Sequence, residues 1–317
     1  MPSESPAKEL VNAPLLEESF LNKDRLEVKN TYYYASFILL QSVIYGLGNP
    51  LTKLAYESIT PFWLLAARYV FAVPLILFLA RHTLREDLRT TSVKVWLPPC
   101  IFAACAYISG NVAVDLTTAT NLGFIMSLPV LIAPVLAVPV LHRKYSWRHL
   151  PIQLICVFGL FLLCCNGGAF HFNAGDLLAL LFAFFLAGHL VFGERALQEM
   201  HVMSATALQL CFAMILCTSV AFMFDDPAVL KGVQPQAWLV VLYLGIICSI
   251  GGFLLQNTAV PKLSSQTVAL LQCTQPILTA AFSFFILGET LSPIALIGAA
   301  IIITCLVVET RIRDEQA

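Results

Sequence analysis

The chain has 317 residues, of which 59% are hydrophobic and 12% charged, and its formal net charge is −1. Soluble domains carry roughly 25% charged residues, and with a mean hydropathy of +0.82 so much apolar surface cannot be sequestered in one water-soluble core; the bilayer is its expected solvent. The charge balance, without a long basic run, argues against nucleic acid, and the 10 cysteines, without a Cys-x-x-Cys pair or a Cys/His cluster at zinc spacing, read as small apolar fillers.

Residues 1–30 are polar, of mixed charge, and contain Pro2, Pro6 and Pro14. They read as a disordered cytoplasmic tail with no cleavable signal. Ten apolar runs follow, each close to the roughly 20 residues that a membrane helix needs. They cover about 33–54, 61–80, 95–115, 119–140, 149–167, 175–194, 203–224, 237–256, 265–287 and 293–310. Gly, Pro, Asn and Asp cluster between them and favour turns. The expected fold is an all-α polytopic membrane protein of ten transmembrane helices.

Basic residues orient it. With the N-terminus inside, 15 of the 18 Lys and Arg residues fall on inner segments, Lys53 and Lys231 on outer ones, and Arg68 within a span. Positive residues stay cytoplasmic, so both termini are expected in the cytoplasm, with the cell (inner or plasma) membrane as the location.

Two stretches repeat. "NVAVDLTTATNLGFIMSLPVL" from Asn111 parallels "NTAVPKLSSQTVALLQCTQPIL" from Asn257, with Thr120 matching Thr267, Pro129 matching Pro276 and Leu131 matching Leu278. A five-helix unit therefore occurs twice, over 31–168 and 169–310, followed by a short tail, 311–317. Five is odd, so the second copy enters the membrane inverted. Inverted repeats are a signature of alternating-access transporters, whose substrate sits near the midplane where the halves meet.

"TTATNLGFIMSLPVLIAPVLA" and "LLQCTQPILTAAFSFFILGETLSPIALIGAAIII", with Gly288-Glu289 and "PFWLLAARYVFAVPL" around Arg68, resemble the two halves of the drug/metabolite transporter superfamily, of the EamA type. The resemblance covers about 33–310 and implies ten helices, an inward N-terminus, and export or exchange of small metabolites. One departure stands out: "LHRKYS" in the first half faces "LGETLS" in the second, so the chemistry of the helix ends differs between halves.

Polar side chains in lipid usually face the protein interior or a cavity. Gln41, Tyr45, Asn49 and Thr52 share one face of span one. Gly46, Gly48 and Pro50 beside them suggest a broken helix whose backbone a substrate could use. Ser265, Gln272, Gln275 and Thr279 share a face of span nine, and their counterparts in span four are Thr118, Ile125, Leu128 and Ile132, so this stripe exists in one half only. Tyr107 and Asn111 lie four apart on span three, and Ser249 and Gln256 seven apart on span eight. His189 is deep in span six and is the one such side chain that titrates near pH 7. The candidate substrate-binding set is Gln41, Tyr45, Asn49, Tyr107, Asn111, His189, Gln256, Gln272 and Gln275. A competing reading for Asn111 and Asn257 is hydrogen bonding to backbone at helix ends.

Arg68 lies within span two. A central Arg costs about 2.5–3.5 kcal/mol on insertion scales, so it should pair or snorkel, with a fixed structural role favoured over that of a carboxylate anchor; its repeat counterpart is Gln209. Glu194 and Arg195 are expected to pair at the surface, and Glu289 to cap the last helix. No carboxylate sits mid-span, and there is no Walker loop, no His-Glu-x-x-His and no deep carboxylate pair. The expectation is a non-enzymatic secondary transporter of a small polar or amphipathic metabolite, an amino acid or a related compound. It needs no cofactor and no metal, its partners are that substrate and the bilayer rather than nucleic acid, and the sequence leaves its oligomeric state open, a monomer being plausible. A channel, a membrane scaffold and an intramembrane enzyme are the alternatives.

Overall fold

The computed structural model describes residues 7–117, 124–144, 147, 149–165, 173–289 and 291–314. Among them, ten helices follow in chain order: α1 Ala7–Ala55, α2 Pro61–Thr90, α3 Val93–Leu116, α4 Pro129–Leu141, α5 Leu150–Cys165, α6 Ala174–Ala196, α7 Val202–Phe224, α8 Pro235–Leu263, α9 Ser265–Leu287 and α10 Pro293–Asp314. Thr118, Thr120, the opening of the fourth expected span and the 168/169 boundary lie outside the described residues. The near face carries both ends of the ten-helix unit; the far face carries the α1–α2, α7–α8 and α9–α10 connections.

Local chemistry sets the ends. Proline opens α2, α4, α8 and α10, where its missing N–H is not needed. The first turn of α6 closes a reciprocal capping box: Asp176 N donates to Asn173 Oδ1 at 3.1 Å and Asn173 N donates to Asp176 Oδ2 at 2.7 Å. Proline also bends α9, because Pro276 offers no N–H to the carbonyl four residues earlier. The chain tightens there, with Cys273 N on Leu270 O at 3.0 Å and Gln275 N on Gln272 O at 2.9 Å. The same tightening precedes Pro129, with Ser127 N on Phe124 O and Leu128 N on Ile125 O, both at 3.1 Å.

The two repeats interlock rather than forming separate bundles. α2 packs on α7, α3 on α6, α5 on α10, α1 on α8 and α9, and α4 on α6 and α9. Exchanging α1–α5 for α6–α10 maps this set of pairs onto itself, as two inverted five-helix repeats require. Small residues make the pairs close, as in membrane packing generally. Ala179, Ala183 and Ala187 of α6 recur every four residues and are fully buried, as are Ala104, Ala106 and Ala113 of α3. In the α5–α10 pair, a Cβ added at Gly298 would lie 2.5 Å from Gly159 O. Outward, Phe78, Phe158, Phe222, Leu239 and Phe285 are at least 55% exposed, a surface suited to lipid.

α1 departs from expectation in two ways. It is not broken at Gly46–Pro50 but continuous to Ala55. The glycines serve packing instead, since a Cβ at Gly46 would lie 2.8 Å from Leu278 Cβ of α9. α1 also runs upstream through residues 7–29, which composition assigns to a disordered tail. That stretch is rich in Leu, Glu, Lys and Ala, all strong helix formers.

Candidate substrate-binding site

α1, α6, α8 and α9 meet around a buried amide cluster. Gln41 Nε2 of α1 donates to Gln256 Oε1 of α8 at 2.8 Å. Gln272 Nε2 of α9 donates to the same oxygen at 2.8 Å and to Gln41 Oε1 at 3.2 Å. Gln256 Nε2 then meets His189 Nε2 of α6 at 3.1 Å, and His189 Nδ1 meets Pro99 O of α3 at 3.2 Å. A carbonyl only accepts, so Nδ1 carries the imidazole proton and Nε2 accepts from the Gln256 amide. Gln41, Gln256 and His189 are at most 5% exposed. The Pro276 bend sets Gln272 in place, because it sits in the tightened turn that the proline causes.

An aromatic wall leads from this cluster toward the far face. His189 and Phe253 have ring centroids 5.6 Å apart, Phe253 and Tyr107 6.0 Å, and Tyr107 and Tyr69 6.0 Å. The Tyr45 ring rests on Gly252, where an added Cβ would lie 2.5 Å from Tyr45 Cε1. At the end of the wall the Arg68 guanidinium carbon stands 5.2 Å from the Tyr69 ring centre and 5.8 Å from that of Tyr107. Arg68 Nε donates to Ser249 Oγ at 3.0 Å, and Ser249 Oγ donates to Leu244 O, five residues back, at 2.9 Å. Tyr243–Gly252 is a π-helical segment of α8, a wider coil often found at functional sites, and it presents Ser249 to Arg68.

Of the candidate residues, Gln41, Gln256, Gln272 and His189 form one network. Tyr107 stands in the wall, Tyr45 rests on Gly252, and half-buried Gln275 lies three residues beyond Gln272 on α9. Asn49 lies apart, toward the far face, where its amide donates to Thr279 Oγ1 at 2.8 Å. Asn111 is buried with Nδ2 unpartnered among the described residues. Asn257 sits inside α8, and its amide donates to Thr206 Oγ1 at 2.9 Å and Gln209 Oε1 at 2.8 Å of α7. Its partners are side chains rather than helix-end backbone, because α8 continues past it to Leu263.

Two ion pairs close the ends, and both differ from expectation. Glu194 does not pair with Arg195 at the surface. It is 1% exposed, meets Arg143 Nη1 at 2.6 Å and accepts the Ser265 N–H at 2.6 Å, because Arg143, just past the end of α4, reaches the end of α6 beside the start of α9. Glu289 meets Lys53 Nζ at 2.5 Å, while the Ser292 hydroxyl accepts the Ala295 N–H at 3.1 Å and so caps α10. The pairs are related by the repeat. Lys53 and Glu194 are each third from the end of α1 and α6. Arg143 and Glu289 each lie two residues past the end of α4 and α9, after a left-handed residue, His142 (φ 52°) or Gly288 (φ 68°). The charges are exchanged between copies. The contrast between "LHRKYS" and "LGETLS" was the sequence signal for this; nothing in the sequence pointed to Glu194 as its partner, nor to the Pro99 carbonyl behind His189.

Outside the spans, His201 Nδ1 meets Asp87 Oδ1 at 2.9 Å on the near face. The hydrogen bond to Asp87 and the negative charge of that carboxylate raise the His201 pKa above its ordinary value.

The chain is similar to other transporters in sequence and to a solved structure in fold. A transporter of Archaeoglobus fulgidus described as uncharacterized is 24% identical over 272 residues, covering 86% of this chain and 83% of its own. The uncharacterized transporter YwfM of Bacillus subtilis is 23% identical over 285 residues, covering 87% and 93%. A solved crystal structure superposes with a TM-score of 0.73 at 19% identity, over 88% of this chain and 96% of that one, and shares the fold. The EamA-like transporter family model matches twice, over residues 33–165 and 173–309, once on each half of the interlocked helices, and the chain is a member of that family of multi-pass membrane transporters.

Proposed function

We propose that this transporter works by alternating access on a small polar or amphipathic metabolite, an amino acid or a related compound, which it exports or exchanges across the cell membrane with both termini in the cytoplasm. The observation that carries the reading is the buried Gln41–Gln256–Gln272–His189 network, built by helices of both repeats where they meet. Such a seam is where inverted-repeat carriers bind substrate. The two ion pairs support the mechanism, since one lies at each end and each joins helices of different repeats. The near face is read as the cytoplasmic one because 15 of the 18 basic residues fall on the segments that the sequence assigns to the inside, in line with the positive-inside rule. His189 has both ring nitrogens engaged by neutral partners, which favours exchange or uniport over proton coupling.

Counterflow in liposomes tests the reading. A carrier loaded with its solute is stimulated by the same solute on the opposite side, whereas a pore or a scaffold is not. Gln272→Leu and Tyr45→Ala are expected to lower flux without loss of expression. Full activity in both variants would remove these residues from the site, and absence of trans-stimulation would remove the carrier mechanism.

A further inference from the structure

We infer that Arg68 is the anchor for a carboxylate on the transported solute, and that this solute is a small monocarboxylate whose body lies along the aromatic wall. The inference rests on the substrate site proposed above and names its chemistry.

Arg68 keeps its charge at every accessible pH. Its contacts among the described residues are one hydrogen bond, from Nε to the Ser249 hydroxyl, and the faces of Tyr69 and Tyr107. Among the described residues no carboxylate pairs with it, and its two terminal nitrogens make no hydrogen bond. Guanidinium is the side chain best shaped for bidentate binding of a carboxylate. Holding Nε on Ser249 and the plane against two tyrosines fixes the fork's orientation and leaves its terminal nitrogens to a ligand.

The repeat supplies an internal control. Arg68 and Gln209 are each the eighth residue of α2 and α7. Gln209 is 1% exposed and bonded to Asn257, the repeat mate of Asn111. In the first copy the same pairing is not made: Arg68 turns to α8, and Asn111 Nδ2 stays without a partner among the described residues. A structural role would need only the closed polar pair seen in the second copy. The charge in the first copy is additional to that need.

The charge count selects the class. One cation with a neutral His189 beyond it balances one anion, and a dianion would bring an uncompensated charge into a low-dielectric site. The wall of Tyr107 and Phe253 joins Arg68 to the glutamine cluster, so a solute with its carboxylate at Arg68 and an apolar body reaches the amides with its other end.

The test uses the full chain in liposomes. The probes for counterflow are the L-amino acids, their 2-oxo acids, their carboxamides and their decarboxylated amines. At least one acid is expected to exchange ten-fold or more faster than its amide and amine. Arg68→Gln should lower that exchange ten-fold or more, Arg68→Lys should restore part of it, and Ser249→Ala should raise KM several-fold with little change in kcat. Amino acids and 2-oxo acids form separate arms, so the second charge of a zwitterion is read independently. Exchange of an amide or amine with the acids inert overturns the anion inference and leaves the carrier reading standing. So does a folded Arg68→Gln variant with wild-type exchange of the acid. If Arg68→Gln does not fold, the ratio of acid to amide in the wild-type protein decides alone. Failure of every probe overturns the inference, and failure of a whole-cell metabolite extract as well overturns the carrier reading with it.

Discussion

Replacing Glu194 with Gln should loosen the near face selectively. The Glu194 side chain is 2% exposed, and it joins Arg143 to the first amide of α9 through two contacts of 2.6 Å. Hydrogen bonds to a charged group contribute about 1.5–3 kcal/mol each, and a carboxylate at a helix N-terminus adds about 0.3–1 kcal/mol. The amide of Gln can still accept the Ser265 N–H, so the loss is confined to charge and comes to about 2 kcal/mol. At about 1.4 kcal/mol per decade, the population of states in which the start of α9 has left α6 should rise roughly 30-fold. The far-face pair is different, because Lys53 and Glu289 side chains are 66% and 51% exposed and such pairs contribute about 0.2–1 kcal/mol. Hydrogen–deuterium exchange of the peptide covering residues 262–272 measures the effect. It should accelerate strongly in Glu194→Gln and hardly at all in Lys53→Gln. Equal exchange in Glu194→Gln and the unmodified protein, or equal acceleration by both substitutions, would refute the idea that burial makes the near-face pair the stronger closure.

Raising pH should weaken the His201–Asp87 contact. A histidine whose folded pKa is raised contributes stability that is complete below its unfolded value, about 6.5, and is lost as pH climbs through the folded value. The melting-temperature difference between the unmodified protein and His201→Gln should therefore be largest near pH 6 and shrink by pH 8–9, as scanning fluorimetry would show. Gly252→Val puts side-chain atoms where the Tyr45 ring lies, since even a Cβ there comes within 2.5 Å of it; overpacking of this kind costs about 1–3 kcal/mol, and counterflow should fall more than expression does. Pro276→Ala returns an N–H to the turn that carries Gln272, so transport rate should change more than solute affinity, read as kcat against KM.

How far the architecture was legible follows from periodicity and charge. Apolar runs of about 20 residues have one solution in lipid, so the ten helices could be read directly, and the repeated Asn, Thr and Pro positions made the inverted duplication visible. The tightened turns before Pro129 and Pro276 were legible for the same reason, because proline's missing N–H acts locally. Gln41, Gln256, Gln272 and His189 could be nominated by depth, yet their mutual bonding depends on how α1, α6, α8 and α9 approach one another, which no helical period encodes. Glycine was misleading in α1: Gly46 looked like a break, but helix-to-helix proximity gives it a packing role. Glu194 was misplaced because its neighbour Arg195 is adjacent in sequence, while the residue that reaches it, Arg143, comes from a different repeat. The π-helical stretch Tyr243–Gly252 has no compositional mark.

The helix pairing of this molecule keeps the two-fold, and its asymmetries lie in side chains and in the π-helical segment of α8, which α3 lacks. Equivalent helices pack on equivalent partners, both bends lie beside the repeated prolines, and each of α4 and α9 ends on a left-handed residue. An alternating mechanism needs that backbone symmetry, because the two faces must each be able to open by the same rearrangement. A substrate needs the opposite. Gln272 stands where the first copy has Ile125, Arg68 where the second has Gln209, and the end pairs carry their charges in reverse order. On the proposed function, such a lining would hold a solute with distinguishable ends in one orientation, and faces closed by one half-buried pair and one solvated pair would not open at equal cost. On that proposed function, the same side-chain differences would set both what is bound and which way the protein rests when empty. Changing Arg68 or Gln272 should alter the first property alone, and changing Glu194 or Lys53 the second alone.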